Sequence, residues 1–383
     1  HARRNDLSGH QKHQDPWCWQ DPAQERKSEK LPRMSFPALT EINDAAGAIR
    51  RELARIVVGQ REVIDHLMVA ILAGQHCLLE AVPGSAKNLL AASLAKTLGL
   101  SFCRVHCTPN LSPAELISRT VFASHEHGGT DDESSTLPHM LLIDDISRLV
   151  PATRVVIEQA MQDGVVNLDG RRFVVPAPFL VLATKYRQVD ETADVADEPR
   201  DDRYMLKIAI RFPSYHDEFH VTDAPSTCEL HEIGHVLNAM QLVQFQQTAR
   251  SVIAPAHVVH YAMRLVRSTR VHEDQTPDFA FEWIGTGAGP RASQHLLIAA
   301  KMRAALKGRE FAGIEDVQAM IHGTLRHRLI TNRNARANGI TPDRVIDRMV
   351  YEIPVRIEGD DVPAVPGVTP KFDVTSDDQW LEK

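Results

Sequence analysis

Aromatic residues fill only 5% of the 383 positions, cysteine occurs five times, and neither sign of charge dominates. Cys18, Cys77, Cys103, Cys107 and Cys228 form no CxxC pair and no even framework. That excludes a disulfide scaffold and a thiolate zinc module, and it fits a reducing cytoplasm. Long apolar runs are also missing. The longest, Leu67 to Gly74, falls far short of the roughly 18 residues that cross a bilayer, so no membrane insertion is expected. With 43 basic against 50 acidic side chains and a net charge of −7, the chain lacks the cationic excess of a protein that binds nucleic acid regardless of sequence. What is present is 43% apolar residues, enough for globular folding. At roughly 100 to 200 residues per domain, two domains and tails are expected.

The two ends read as tails. Residues 1–37 hold many charges, few aliphatics and no apolar signal-peptide core, and the first methionine is Met34. This stretch is expected to be disordered, or an upstream extension with Met34 as the start; Trp17 and Trp19 are candidates for a docking segment. At the other end, 357–383 carries seven acidic and two basic residues and is expected to be disordered.

Between the tails the apolar pattern changes character. Short runs at Cys77 to Leu79, Phe102 to Cys107, Met140 to Ile143, Phe179 to Ala183 and Met205 to Ile210 read as buried parallel strands separated by helices. Pro151 and Gly164 bound one of those helices, with Val156 and Ala160 on one face. The two arms around Asp169-Gly170 in VVNLDGRRFVV predict a hairpin. From about Pro213 only helical spacing survives, ending in a helix that Thr341-Pro342 would cap. The expected architecture is therefore an α/β domain over 38–213, a parallel sheet with helices on both faces, followed by a smaller all-helical domain over 214–356.

The chemistry concentrates in HCLLEAVPGSAKNLLAASLA. A buried strand runs into a turn, Val82-Pro83-Gly84-Ser85-Ala86, then Lys87, Asn88 and Leu89 open an alanine- and leucine-rich helix. Gly84 lets backbone N–H groups face inward, the helix start adds positive potential, and Lys87 supplies a full charge, which together suit phosphate. Downstream, MLLIDD is an apolar strand ending in two acids. Asp144 is placed to hold Mg²⁺ and Asp145 to polarise an attacking water.

These segments, with VVGQREVIDHLMVAILAGQ, RVHCTPNLSP, VVIEQAMQDGVVNLDG, PFLVLAT, DDRYMLKI, GAGPRAS and TLRHRL, follow one another from about Ile56 to Ile353, and in that order the chain resembles a MoxR-family AAA+ ATPase. The resemblance implies a P-loop domain with a helical lid that binds Mg·ATP, couples hydrolysis to chaperone-like remodelling of a client protein, often with von Willebrand factor A-domain partners, and assembles as a homo-oligomeric ring, expected to be hexameric. It implies that Lys87 is the Walker A lysine, Asp144 the Walker B metal ligand, Arg203 the arginine finger toward a neighbouring subunit, and Arg291 the sensor-2 arginine. Four positions depart from the family's pattern: Ala81 replaces a glycine, Asn88 a metal-binding threonine, Asp145 a glutamate and Tyr186 the sensor-1 asparagine. Asn88 still offers a carbonyl oxygen to Mg²⁺. Asp145 and Tyr186 fall on the hydrolytic step, so a pseudo-ATPase acting as an assembly switch is the alternative.

A second alternative comes from His231-Glu-Ile-Gly-His235, which matches HExxH. On a helix its histidines would share Zn²⁺, with Glu232 as general base. Leu230, Ile233 and Leu237 would be the buried stripe of that helix, leaving the histidines on a solvated face. The third histidine of a metzincin would fall at Gln241, so the extended signature is absent. His125-Glu126-His127, followed by Asp131-Asp132-Glu133, reads as an acidic loop.

Overall fold

Five of the short apolar runs line up side by side in one parallel sheet. The computed structural model describes residues 38–82, 84–125, 136–186, 201–223, 233–271 and 276–355, so both expected tails and the His125-Glu-His127 loop's acidic continuation lie outside the described residues. The strands are β1 (Cys77–Ala81), β2 (Phe102–His106), β3 (Met140–Asp144), β4 (Val165–Leu168), β5 (Arg171–Val174), β6 (Leu180–Tyr186) and β7 (Leu206–Ile210). The central sheet has the order β2-β3-β6-β1-β7. Its inner strands β1, β3 and β6 are almost wholly buried, as unbroken apolar runs with helices on both faces should be. Edge strand β2 alternates instead, burying Cys103 and Val105 and exposing Arg104 and His106. Strand β6 runs three residues beyond the expected Ala183, which brings Tyr186 level with Ala81 of β1.

Between β3 and β6, β4 and β5 pair antiparallel with Leu168 opposite Arg171. Their two-residue turn puts both Asp169 (φ 49°) and Gly170 (φ 75°) in the left-handed region, the turn whose twist matches that of the flanking strands.

The helices before and within this region are α1 (Leu39–Ala54), α2 (Arg61–Ala73), α3 (Lys87–Thr97), α4 (Pro113–His125) and α5 (Pro151–Asp163). Helix α5 begins on Pro151 and stops at Gly164, which adopts φ 64°. After β7 come α6 (Tyr215–Asp223), α7 (Ala239–Arg250), α8 (Ala256–Arg267), α9 (Asp278–Trp283), α10 (Pro290–Leu306), α11 (Ile314–Leu325), α12 (Arg333–Ala337) and α13 (Pro342–Glu352). Thr341 caps α13, its side chain accepting from the Arg344 N–H. The second half is not all helix: β8 (Ile284–Thr286) and β9 (Ile330–Thr331) pair antiparallel. Runs of two and three residues are too short to leave a period of two in the sequence.

Apolar packing is continuous from the sheet into these helices. Leu67, Leu79, Leu206, Leu296, Ala300 and Leu325 belong to one buried cluster. Arg328 pins the following turn to the loop before β7. Its Nε donates to Asp202 Oδ1 at 2.7 Å, its Nη2 to the Tyr204 carbonyl at 2.7 Å, and its Nη1 to the Thr324 carbonyl.

The helix expected under the HExxH motif is corrected. His231, Glu232 and Leu230 lie outside the described residues, and Ile233–Asn238 is irregular; helix begins only at Ala239. Its cap explains the boundary, since Asn238 Oδ1 accepts from the Gln241 N–H at 2.9 Å while Gln241 returns a bond to the Asn238 N–H at 3.0 Å. Upstream the backbone donors are spent sideways: the Val236 N–H goes to the Thr97 carbonyl and the Gly234 N–H to Glu52. Ile233 and Leu237 are buried as expected, but on irregular chain, where i and i+4 do not share a helical face.

Candidate nucleotide-binding site

Strand β1 ends at Ala81 and α3 begins at Lys87, so the connecting turn delivers its backbone to the C-terminal edge of the sheet. Gly84 takes φ 81° and a side chain there would meet nothing within 4 Å, so the glycine serves backbone conformation and leaves open space over the turn. Ala86, at φ 55° without a glycine's freedom, starts α3 with no side-chain cap. The first N–H groups of a helix have no carbonyl four residues back, and with the helix dipole they form an anion cradle. Ser85 adds a buried hydroxyl with no hydrogen-bond partner. Val82, Asn88 and Leu89 are half-buried around the turn, and Pro83 lies outside the described residues. Ala81, where a glycine was expected, is 1% exposed and is simply the last β1 residue, paired to Tyr186 and Ile210.

The ends of β1, β3 and β6 bring Lys87, Asp144 and Tyr186 together. Lys87 Nζ lies 3.1 Å from Tyr186 Oη, 4.6 Å from the centre of the same ring, and 3.4 Å from Asp144 Oδ1. Asp144 Oδ1 also accepts from Thr184 Oγ1 at 3.1 Å, and Oδ2 accepts from Arg104 Nη2 at 2.5 Å. Burial pushes the Asp144 carboxyl up, but the Arg104 guanidinium, Lys87 and the Thr184 hydroxyl outweigh it and hold it below the usual carboxylate range. Asp145 takes the left-handed conformation at φ 68°. Its N–H donates to Thr184 Oγ1 at 2.9 Å and its Oδ2 meets Arg148 Nε at 2.7 Å.

The two oxygen donors expected for Mg²⁺ fare differently from the phosphate cradle. With its amide turned so that oxygen faces donors, Asn88 accepts from both terminal nitrogens of Arg104, at 3.0 and 3.2 Å. One guanidinium thus stands between Asn88 and Asp144 and engages both. Mg²⁺ demands near-octahedral oxygen donors at about 2.0–2.1 Å, and this pair, as arranged, does not fit it. No cluster of three His, Cys, Asp or Glu side chains suited to a metal exists among the described residues.

The remaining expected residues lie apart. Arg203 and Asp202 sit in the loop entering the N-terminal end of β7, whereas Lys87, Asp144 and Tyr186 stand at or beyond the C-terminal ends of their strands. Arg203 Nη1 pairs with Glu158 of α5 at 3.0 Å, and Arg291 Nη1, at the start of α10, pairs with Asp202 Oδ2 at 3.0 Å. The fold groups these two arginines around one loop and does not bring them to Lys87.

Sequence reading missed Arg104 and Thr184. The signal for the first was a lone arginine on the exposed phase of FCRVHC, one strand away from the acid pair; for the second, a hydroxyl ending the apolar run PFLVLAT. It also missed a cavity of about 230 Å³ beside the C-terminal half of β7, lined by Gly59, Gln60, His66, Arg211, His322 and Arg326 among others. His66 is buried there with Nδ1 donating to the Glu62 carbonyl at 2.8 Å, and burial lowers its pKa, which leaves Nε2 an unprotonated acceptor.

Residues 76–206 match the model of the ATPase family associated with various cellular activities (AAA), and 282–349 match the AAA lid domain. The chain is 30% identical over 302 residues to chaperone MoxR1 of Mycobacterium tuberculosis, covering 79% of this chain and 80% of that one. It is 28% identical to protein MoxR of Methylorubrum extorquens, with 82% and 96% covered. A crystal structure of a candidate ATPase from Cytophaga hutchinsonii superposes with a TM-score of 0.73 at 26% identity, over 82% of this chain and 96% of that one.

Proposed function

Because the chain belongs to the MoxR family of AAA+ ATPases, a family implying nucleotide binding and usually Mg²⁺, we propose that it binds ATP at the Lys87 turn and couples slow hydrolysis to remodelling of a client protein. The observation that carries this reading is the convergence of the uncapped α3 start, Lys87 and Asp144 at one edge of the sheet. The α- and β-phosphates lie on the backbone N–H groups of Gly84 to Leu89, with Lys87 reaching the terminal phosphates. The base enters the cavity beside β7, where His66 Nε2 and the backbone near Gln60 offer polar contacts.

Asp145 takes the proton of the attacking water, and Thr184 keeps the two acids in register. Arg203 and Arg291, grouped away from Lys87, serve a neighbouring subunit's nucleotide, which calls for a homo-oligomeric ring, hexameric by family likeness. The client is a protein, with von Willebrand factor A-domain proteins the first to try, and the working compartment is the cytoplasm. The pseudo-ATPase alternative is favoured by the engagement of Lys87 with Tyr186. Phosphate release from ATP by the purified protein, beside Lys87→Ala, tests the reading: turnover lost in the variant is expected, and equal rates would refute it.

A further inference from the structure

The charged groups of the phosphate site already satisfy one another. Lys87 is 8% exposed; it donates to Tyr186 Oη, lies 4.6 Å from the centre of that ring, and forms an ion pair with Asp144 at 3.4 Å. Asp144 has both oxygens engaged, by Lys87 and Thr184 on one side and Arg104 on the other. Arg104 closes the circuit onto Asn88. Asp145 is neutralised separately by Arg148. Around Asp144, two full positive charges face one carboxylate, so the local balance is already positive before any metal arrives.

Such a site treats its ligands unequally. The backbone cradle of Gly84 to Leu89, which receives the α- and β-phosphates, takes no part in the circuit. A nucleoside diphosphate docks there without breaking it. A third phosphate needs the Lys87 ammonium, and reaching it means displacing the Tyr186 phenol. A divalent cation would have to expel a guanidinium from two oxygen donors and enter a region of positive potential, whereas an anion is drawn to it.

Resting on the nucleotide reading above, we propose that this protein selects nucleoside diphosphate over triphosphate and binds it without a divalent cation, Tyr186 blocking the terminal-phosphate position and Arg104 standing in for the metal. The resting ring is then the diphosphate form, and ATP enters only by displacing Tyr186.

Calorimetry on the full chain tests this with ADP and with the β,γ-imido analogue of ATP, each in Mg²⁺ and in EDTA. Wild type should bind ADP at least about tenfold more tightly than the triphosphate analogue, with ADP affinity the same within about twofold in EDTA. Tyr186→Asn should remove most of that preference by improving triphosphate binding, and Tyr186→Phe, which keeps the ring and loses the hydroxyl, should fall between. Arg104→Gln should make affinity depend on Mg²⁺. Preference for the triphosphate in wild type, or a tenfold loss of ADP affinity in EDTA, overturns the proposal and leaves the nucleotide reading standing. A folded protein that binds neither nucleotide overturns both. If Tyr186→Asn does not fold, the wild-type ratio and Tyr186→Phe decide.

Discussion

Lengthening Asp145 by one methylene, Asp145→Glu, should accelerate hydrolysis by about 10- to 100-fold. The aspartate carboxylate stops about 1–1.5 Å short of where a glutamate would reach, and a misplacement of that order costs roughly 100-fold in rate, or about 2.7 kcal/mol of barrier. Two features of the structure oppose the gain. Asp145 is paired with Arg148, but that arginine is 57% exposed in its side chain, and such a pair holds at most about 1 kcal/mol. Asp145 also sits at φ 68°, a conformation that aspartate visits more readily than glutamate, so the variant should lose about 1 kcal/mol of stability. Neither cost cancels the gain in reach. Phosphate release under saturating and limiting ATP should show the effect in kcat with KM little changed, because the side chain acts on water and not on the bound phosphates. A variant no faster than wild type would refute Asp145 as the residue that limits turnover.

Arg203→Ala should abolish turnover by itself yet recover part of it when mixed with Lys87→Ala, since hybrid rings then contain intact shared sites; no recovery at any mixing ratio would make each site self-contained. His76, between the Val181 N–H at 3.1 Å and the Met161 carbonyl at 3.3 Å, is lowered by burial to about 4. Its folded pKa lies below the unfolded value near 6.5, so its stabilisation is full above pH 6.5 and falls away as pH drops through 4, by about 3 kcal/mol in all. Urea midpoints at pH 7 and 4.5 should therefore differ less in His76→Asn than in wild type, and an identical difference would refute this. Metal analysis should find no stoichiometric zinc, and His235→Ala should leave turnover unchanged; tightly bound zinc lost in that variant would restore the peptidase reading.

The sheet was legible because buried parallel strands write themselves as apolar runs, and the Asp169-Gly170 turn because two left-handed residues demand that chemistry. Thr341 and Pro151 announced their helices for similar local reasons. What escaped depends on distance in sequence. Arg104 reaches Asp144 only because β2 lies beside β3, and Thr184 joins the acids only because β6 lies on the other side. The β8–β9 pair is too short for any period, and the HExxH motif had helical spacing, but Gly234 and Val236 at its described end gave their backbone N–H groups to Glu52 and Thr97 instead. Tyr186 was recognisable as a departure, while its grip on Lys87 needed coordinates. The same holds for Arg291, whose motif was readable but whose place beside Asp202 was not.

The central claim, that the turn from Val82 to Leu89 with Lys87 is a nucleotide cradle, is tested most directly by equilibrium binding of the β,γ-imido analogue of ATP to wild type and Lys87→Ala, with circular dichroism to verify that both are folded. Removing the ammonium takes away the charge that meets the terminal phosphate and strips Asp144 of one counter-charge, so binding should fall by at least about 100-fold, or about 2.7 kcal/mol. Equal affinity in the two proteins would contradict the account.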